Sequence, residues 1–378
     1  MNTTGLSGNE IYCVDLLGYR PGDIVMGNSV HALGALRGIG SGFRAIAGGE
    51  ITQFTELIEE GRAAALGRLE EEAKHRGAVG ITGVTSEIVF HGTNIEFLSI
   101  GSAIHSKDAA GAREDLRFST SADGQDLFVQ EDAGYEPLKF VFGNVAYSIG
   151  ITSGIIGAFK TLARGEVREF SDIFNVTRHL ALERITKEAR AAGANAIVGI
   201  ETTILPFGMS GVKEMLMIGT ASKNPGLGVN EIVSTDLTPQ EMWNLNQIGY
   251  TPVKLVLGTS VYSLGLMGGI TSALKSFVRG EIPELSSLLY EARENALRMV
   301  TDEAKRIGAD EVVGVKTYVY QLGSGLIEFM AIGTAVRRTA GAKNKSANLP
   351  PQAFSQDWDT FVDAADANFG VNLNKNGR

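Results

Sequence analysis

The sequence predicts an α+β fold built from three tandem β-α-β-β domains with antiparallel sheets. The phrase RAAGANAIVGI at residues 190–200 has counterparts at 74–84 and 305–315. Each phrase reads as the end of a helix, a glycine and then an apolar strand, since cations followed by glycine are typical of helix C-termini. Three occurrences of the same helix-to-strand junction therefore indicate three folded domains of one type.

Glycine landmarks measure the repeat. Gly27, Gly143 and Gly258 are separated by 116 and 115 residues, far more than the roughly 20–50 residues of solenoid repeats. A whole domain is therefore predicted to be triplicated. The predicted parts are residues 1–108, 109–226 and 227–338 as the three domains, and 339–378 as a linker and short amphipathic tail.

The third copy shows the predicted order of elements. Thr238, Pro239 and Glu241 supply a cap, a first-turn proline and a capping-box acid for a short lead-in helix. A strand, a Gly-rich segment predicted as a short helix, and a long amphipathic helix follow. Gly308 is placed to end the long helix in the left-handed conformation, and two further strands complete the copy.

Composition excludes several classes of protein. The net charge of −9, from 34 Lys+Arg against 43 Asp+Glu, argues against nucleic-acid binding, which needs clustered basic residues. The single cysteine, Cys13, excludes an internal disulfide and a cysteine-based metal cage. The first residues lack the basic and apolar regions of a signal peptide. We expect a cytoplasmic protein without a cofactor.

Ordered motifs in all three copies resemble the YbjQ-like family, whose members are often labelled heavy-metal-binding domains. The matching stretches are DIVMGNSV, LKFVFGNVAYSI and VKLVLGTSVYSL, then GFRAIAGGE, GAFKTLARGE and SALKSFVRGE, and finally GSAI, GTAS and GTAV. The resemblance implies a small α+β unit similar to a dodecin subunit. It also implies ring-like oligomers, typically of five subunits and closed partly through sheet edges, and it brings no established reaction.

Metal-binding and catalytic signatures do not recur. Four of the five histidines, His31, His75, His91 and His105, lie in the first copy. Spacings such as CxxC and HExxH are absent. GIGSGF at 38–43 lacks the third glycine of a dinucleotide-binding loop. No Ser-His-Asp or Cys-His constellation recurs either. We therefore predict no metal site and no catalytic residues.

Two charged positions recur in every copy and are the candidate ligand-binding residues. The basic position is occupied by Arg44, Lys160 and Lys275, and the acidic position by Glu50, Glu166 and Glu281. The glutamates come just before the long helix, where an acid suits the positive end of the helix dipole. Each glutamate could pair with the basic residue or across a subunit boundary. Alternatively, the basic position could bind a ligand such as an anion in the ring.

An uncharged stretch of 20 residues lies between Lys139 and Lys160 and has a counterpart in the third copy. This is the length of a transmembrane helix. Both stretches contain several Gly, Ser and Thr residues, and the first copy carries Arg37 there. A strand, a turn and a short apolar helix are therefore favoured. Membrane-surface contact through 145–159 and 261–274 remains an alternative.

The C-terminal region has a different character. Residues 338–352 read as a flexible linker with turn residues. Phe354, Trp358 and Phe361 then form one apolar face of a short helix. This tail could dock on its own third domain or on a ring neighbour. It could also anchor the chain in the groove of a partner protein.

These observations favour a non-enzymatic, ring-forming scaffold protein. A pentamer or another closed ring is the expected homo-oligomer. Five chains stacked in three tiers are favoured over two chains in a pseudo-six-fold ring. The alternatives are a small-ligand or metal-ion binding module, with sites at domain interfaces or in a pore, and a membrane-surface assembly.

Overall fold

The computed structural model describes residues 2–32, 49–92, 94–108, 114–148, 165–206, 212–228, 232–264, 283–323, 325–339 and 343–353. Within these residues the chain forms six α-helices and three sheets, arranged as three successive α+β domains. The mixed α+β class and the three tandem domains are confirmed. The Gly-rich segments predicted as short helices lie outside the described residues.

The first domain starts with a lead-in helix and ends with a β-hairpin. Its elements are α1 (Gly8–Leu16), β1 (Tyr19–Ala32), β2 (Gly49–Glu50), α2 (Thr52–His75), β3 (Gly80–His91) and β4 (Asn94–Ser106). Strand β4 lies between β1 and β3, and both pairings are antiparallel. The long helix α2 packs on this sheet.

The second and third domains repeat this plan, each with one short strand added before its lead-in helix. The second contains β5 (Phe118–Ser119), α3 (Gly124–Asp132), β6 (Glu136–Ser148), β7 (Gly165–Glu166), α4 (Arg168–Ala191), β8 (Ala196–Pro206) and β9 (Val212–Lys223). The third contains β10 (Val233–Ser234), α5 (Pro239–Gln247), β11 (Tyr250–Ser263), α6 (Pro283–Arg306), β12 (Glu311–Gly323) and β13 (Leu326–Arg338).

Local signals begin and end the helices as predicted. The Thr238 hydroxyl accepts a hydrogen bond from the backbone N–H of Glu241 at 3.2 Å, and the Glu241 carboxylate accepts one from the backbone N–H of Thr238 at 2.8 Å. This reciprocal capping box starts α5. Gly308 follows α6 with φ of 67°, a conformation that glycine adopts without steric cost.

The repeating glycine of the first strand is a contact point between sheet and helix. A Cβ atom on Gly143 would lie 2.2 Å from the Ala181 carbonyl oxygen and 2.6 Å from the Ile185 backbone nitrogen. Gly27 and Gly258 meet α2 and α6 in the same way. Only glycine lets the strand backbone approach the helix this closely, which explains the landmark that revealed the repeat.

Short strands join each domain to the next along their sheet edges. At the first boundary β2 pairs antiparallel with β6, and β5 pairs in parallel with β3. At the second boundary β7 pairs antiparallel with β11, and β10 pairs in parallel with β8. The copies therefore lie side by side within one chain. Both edges of the second sheet are paired within the chain, β6 with β2 and β8 with β10. The predicted three-tier stack, in which each copy forms its own ring, does not fit this arrangement for the second copy through its sheet edges.

The segment before the tail packs against the lead-in helices. These helices form a row in which α3 contacts both α1 and α5. Leu349 and Ala353, the latter in a 3₁₀ turn at Pro351–Ala353, are buried with Cys13 and Trp243. The Ser346 hydroxyl donates to the Asp132 carboxylate at 2.6 Å. The described part of the predicted flexible linker, residues 343–352, is therefore anchored to this row, because Leu349 is buried among its apolar side chains.

Candidate assembly interface

A fully buried ion pair joins the second and third domains. Arg178 on α4 donates to the two carboxylate oxygens of Glu328 on β13, with its Nη2 at 2.7 and 2.9 Å and its Nε at 3.1 Å. Both side chains have no exposed surface. Arg178 also donates to the Tyr147 hydroxyl at 2.9 Å. The charges and most donors of the guanidinium are thus satisfied by residues of both domains.

The first and second domains are joined by an equivalent pair. Arg62 on α2 donates from Nε to Glu214 Oε1 at 3.0 Å and from Nη2 to Glu214 Oε2 at 2.9 Å. Its Nη1 donates to the backbone carbonyl and the hydroxyl of Ser86 at 3.0 and 2.8 Å. The two parallel hydrogen bonds form a bidentate arginine–carboxylate pair, whose planar geometry restricts how α2 is oriented on the sheet of the second domain.

Electrostatics explain why the pair must stay intact. Burial opposes the charged form of Arg178, but Glu328 and the Tyr147 hydroxyl outweigh this effect and raise the pKa of its guanidinium. Burial also raises the pKa of Tyr147, so its hydroxyl remains protonated. A buried ion pair adds little net stability compared with an apolar pair of similar shape, whereas a buried charge without its partner is costly. A shift of α4 on β13 that separates Arg178 from Glu328 is therefore disfavoured, because it would leave buried charges without partners.

Hydroxyl groups at the start of each long helix extend the same interface. The Thr55 hydroxyl accepts from the Ala146 backbone N–H at 3.0 Å, and the Ser171 hydroxyl accepts from the Val261 N–H at 2.9 Å. These backbone groups lie on the edge strands β6 and β11. Because buried backbone donors need partners, α2 and α4 each cover the sheet edge of the next domain.

Two of the predicted ligand-binding residues lie at these boundaries. Glu50 on β2 forms an ion pair with Arg184 of the second domain at 2.7 Å. Glu166 on β7 accepts from the Ser171 hydroxyl at 3.3 Å and lies 3.9 Å from Arg168. The Glu50 ion pair crosses a boundary between domains of one chain, whereas the sequence analysis offered a pair across a subunit boundary.

The remaining predicted residues are not in the described part of the chain. These are Arg44, Lys160, Lys275 and Glu281 of the ligand set, and Phe354, Trp358 and Phe361 of the tail. A ligand role for the six charged residues and a docking role for the tail stay predictions. Of the two apolar segments, residues 145–148 and 261–263 are the ends of β6 and β11. None of the helices in the described ranges is long and apolar enough to cross a bilayer.

The described residues do not provide the donor set of a metal site. No group of three or more His, Cys, Asp or Glu side chains converges among them. Burial, together with the carboxylates of Asp123 and Glu10, raises the pKa of the Cys13 thiol to about 11, whereas metals bind the thiolate. His91 instead bonds to Glu96 at 2.7 Å, and His105 to the Gly77 carbonyl at 3.0 Å.

An open cleft of about 290 Å³ lies between the second and third domains. Its lining includes His179 from α4 and Glu303 from α6, whose side chains are 3.4 Å apart. Lys254 donates to the other oxygen of Glu303 at 2.8 Å. Burial opposes ionisation of Glu303, but hydrogen bonds from His179 and Lys254 dominate and lower its pKa to about 2.

This cleft predicts that the contact between the two domains depends on pH. Burial disfavours protonated His179, yet its bonds to Glu303 and to the Asn175 carbonyl outweigh burial and raise its pKa. Stabilisation from His179 is therefore fully present below about pH 6.5, its unfolded pKa, and is lost as the pH rises through the raised pKa. The contribution of Glu303 is present above its unfolded pKa, about 4.3, and is lost as the pH falls towards 2.

We expect H179A to lower the urea denaturation midpoint most between about pH 4.5 and 6.5. The difference from the wild type should shrink at alkaline pH. An equal decrease at acidic and alkaline pH would contradict a charged contact and indicate lost packing alone.

Sequence reasoning missed the residues that build this interface. Arg62, Arg178 and Arg293 are separated by 116 and 115 residues, the same spacings as the glycine landmarks. Glu96, Glu214 and Glu328 also occupy one aligned position, with spacings of 118 and 114. The sequence signal that could have revealed this interface is that each copy carries an arginine at one position of its long helix and a glutamate at one position of its last strand.

The fold and the interface define a tandem three-domain α+β protein whose domains associate through sheet edges and buried ion pairs. Its sequence belongs to the YbjQ family, described as "Putative heavy-metal-binding", which matches residues 18–107, 129–224 and 245–339. The family resemblance and its three copies are thereby confirmed.

Relatives fall into two length groups. The chain is 30% identical over 249 residues to the "Encapsulin nanocompartment protein Rv1762c" of Mycobacterium tuberculosis, covering 61% of this chain and 92% of the relative. It is 42% identical over 88 residues to a UPF0145 protein of Thermotoga petrophila, covering 23% of this chain and 82% of the relative. A UPF0145 protein of Methanococcus maripaludis is 35% identical over 102 residues, covering 27% of this chain and 90% of the relative.

Proposed function

We propose that this protein is a non-enzymatic structural protein that assembles into a closed ring or shell-like scaffold. The observation that carries the proposal is that one interface forms twice within the chain, each time with two exchanged short strands and a buried Arg–Glu pair. A surface that recognises the next copy of its own domain can propagate beyond one chain. The polar side chains that recur at the two boundaries, the buried Arg–Glu pairs, thus serve association between domains.

The relatives support this proposal in two ways. The Mycobacterium tuberculosis relative is named an encapsulin nanocompartment protein, which fits an assembly role. The Thermotoga petrophila relative is covered to 82% by a match of 88 residues, so it is about as long as one repeat. A single repeat of this type has to meet its neighbours through separate chains, whereas this protein joins three covalently.

The interface is heterologous, because the long helix of one domain contacts the sheet of the next. Such contacts close into a ring when the rotation per domain divides a full turn, and otherwise continue as an open filament. Ring closure is the part of the proposal that follows from the expected symmetry of soluble oligomers.

Native mass spectrometry of untagged protein, purified without detergent or chelator, tests the proposal. We expect one discrete species whose mass is an integer multiple of the 40.2 kDa chain. A lone 40.2 kDa species across a concentration series would contradict self-assembly. A broad ladder of multiples would contradict ring closure but retain association. Stoichiometric metal or small-molecule adducts would favour the binding-module alternative.

A further inference from the structure

The outer edge of β1 leaves exposed the apolar side chains that are buried in the other two domains. Met26 is 55% exposed, whereas its equivalents Phe142 and Leu257 are 3% and 1% exposed. Val30 is 58% exposed, and its equivalents in β6 and β11 are fully buried. The long helix of the preceding domain covers these positions in the second and third domains. Among the described residues Met26 and Val30 have no such cover.

Glu96 on β4 occupies the position of the two buried glutamates. Its equivalents Glu214 and Glu328 have no exposed surface and bind arginine from the preceding domain. In the first domain Glu96 is 19% exposed and accepts hydrogen bonds from Asn28 at 2.8 Å and His91 at 2.7 Å. This face of the first domain, which we call the β1 face, consists of Met26, Val30 and Glu96. It therefore presents a partly exposed carboxylate on the same sheet as two exposed apolar side chains.

The long helix α6 presents the complementary group. Arg293 is the equivalent of Arg62 and Arg178 but is exposed, with its guanidinium 5.7 Å from the ring centroid of Phe329. Ser286, the equivalent of the buried Thr55 and Ser171, is exposed as well.

Tyr290 on the same helix is 65% exposed. We call this surface, consisting of Ser286, Tyr290 and Arg293, the α6 face. The groups that join the domains within the chain are thus repeated on α6, and among the described residues Arg293 contacts only Phe329 of its own domain through its guanidinium.

The outer edge of β12 is also unpaired among the described residues, whereas β3 and β8 pair there with the short strands β5 and β10 of the next domain. Val315 is 42% exposed, whereas its equivalents Val84 and Ile200 are almost fully buried. Val84 and Ile200 donate their backbone N–H groups to Thr120 and Thr235 of the next domain. In the described chain no further strand pairs with the outer edge of β12. An unpaired strand edge is a template for another chain.

We propose that a second copy of this chain docks its β1 face on the α6 face, with Glu96 of one copy accepting hydrogen bonds from Arg293 of the other. The inference rests on the proposed self-assembly and specifies the surfaces that carry it. Two internal interfaces show the same helix, sheet edge and charge pair in contact, so the occupant is a further domain of this type. Complementary charge sets the polarity, since the β1 face supplies the carboxylate and the α6 face the guanidinium.

A charge exchange followed by sedimentation velocity tests this pairing. Glu96→Arg alone and Arg293→Glu alone should each reduce the assembly to the 40.2 kDa monomer, because each places like charges opposite one another. Mixing the two variants in equal amounts should restore association into species with an even number of chains, since opposite charges meet only where the two variants alternate. The double variant E96R/R293E should restore the wild-type sedimentation coefficient within a single chain.

Arg298→Glu is the matched control, because Arg298 lies on the same helix and its equivalent Glu183 is exposed beside an internal interface. It should assemble like the wild type. Single variants that still assemble would overturn the pairing while leaving self-assembly intact. Monomeric single variants that do not recover on mixing would also overturn it. A monomeric wild type would instead overturn the proposed function itself.

Discussion

Arg178→Met is expected to destabilise the protein by about 3–5 kcal/mol, because the Glu328 carboxylate is then left buried without its cation. Both side chains are fully buried in the native chain. Glu328 lies where apolar side chains of the second and third domains meet, so water cannot replace the lost donors without opening the interface. Chemical denaturation followed by circular dichroism measures the change as a lower midpoint.

Two comparisons separate the buried charge from other effects of the substitution. The double variant R178M/E328L removes both charges and should recover much of the lost stability, since apolar replacement of a buried pair is often nearly neutral. Arg76→Met breaks ion pairs of a guanidinium whose side chain is 41% exposed, and exposed pairs contribute only about 0–1 kcal/mol. If R178M costs no more than R76M, the buried pair does not hold the second and third domains together.

Gly143→Ala is expected to cost about 3 kcal/mol, in the upper part of the range for overpacking. The added Cβ would lie 2.2 Å from the Ala181 carbonyl oxygen and 2.6 Å from the Ile185 nitrogen. Both are backbone atoms of α4, so no flexible side chain can move aside. The helix itself has to shift, and that shift also displaces Arg178 from Glu328. The denaturation midpoint and the mass of the assembly should therefore both fall.

Gly67→Ala is the matched control for the same chemical change. Gly67 lies within α2, and no heavy atom outside its own helix turn lies within 4 Å of its added Cβ. Alanine in a helix interior is more favourable than glycine by about 0.5–1 kcal/mol, so the midpoint should rise. A Gly143→Ala variant as stable as the wild type would show that the strand and helix are not in close contact there.

The sequence by itself determined the local structure and the repeat. The capping box at Thr238 and Glu241 and the left-handed Gly308 depend on residues within a few positions of one another. The apolar periodicity of α6 likewise predicts its buried face, formed by Leu288, Ala292, Ala296 and Val300. Such signals can be read directly because their physical causes, capping and amphipathic burial, act over one or two helical turns.

The candidate site could be predicted only in part. Glu50 and Glu166 were found because they recur, and both lie at domain boundaries in the structure. Arg62 and Arg178 recur equally well, but an arginine on a helix is normally a solvated residue. Their burial becomes apparent only when the partner carboxylates, 152 and 150 residues away along the chain, are placed beside them.

Tertiary structure alone decided how the three copies are joined. Strands β2 and β7 have two residues each, and they pair with sheets of the following domain. Their Gly-Glu sequence recurs, but it does not identify the strand with which they pair. Hydrogen bonds at a sheet edge involve backbone groups that every residue possesses, so side-chain patterns do not specify the partner edge. The sequence determined three domains, and the packing of α2 and α4 on the sheets that follow them determined that the domains lie side by side.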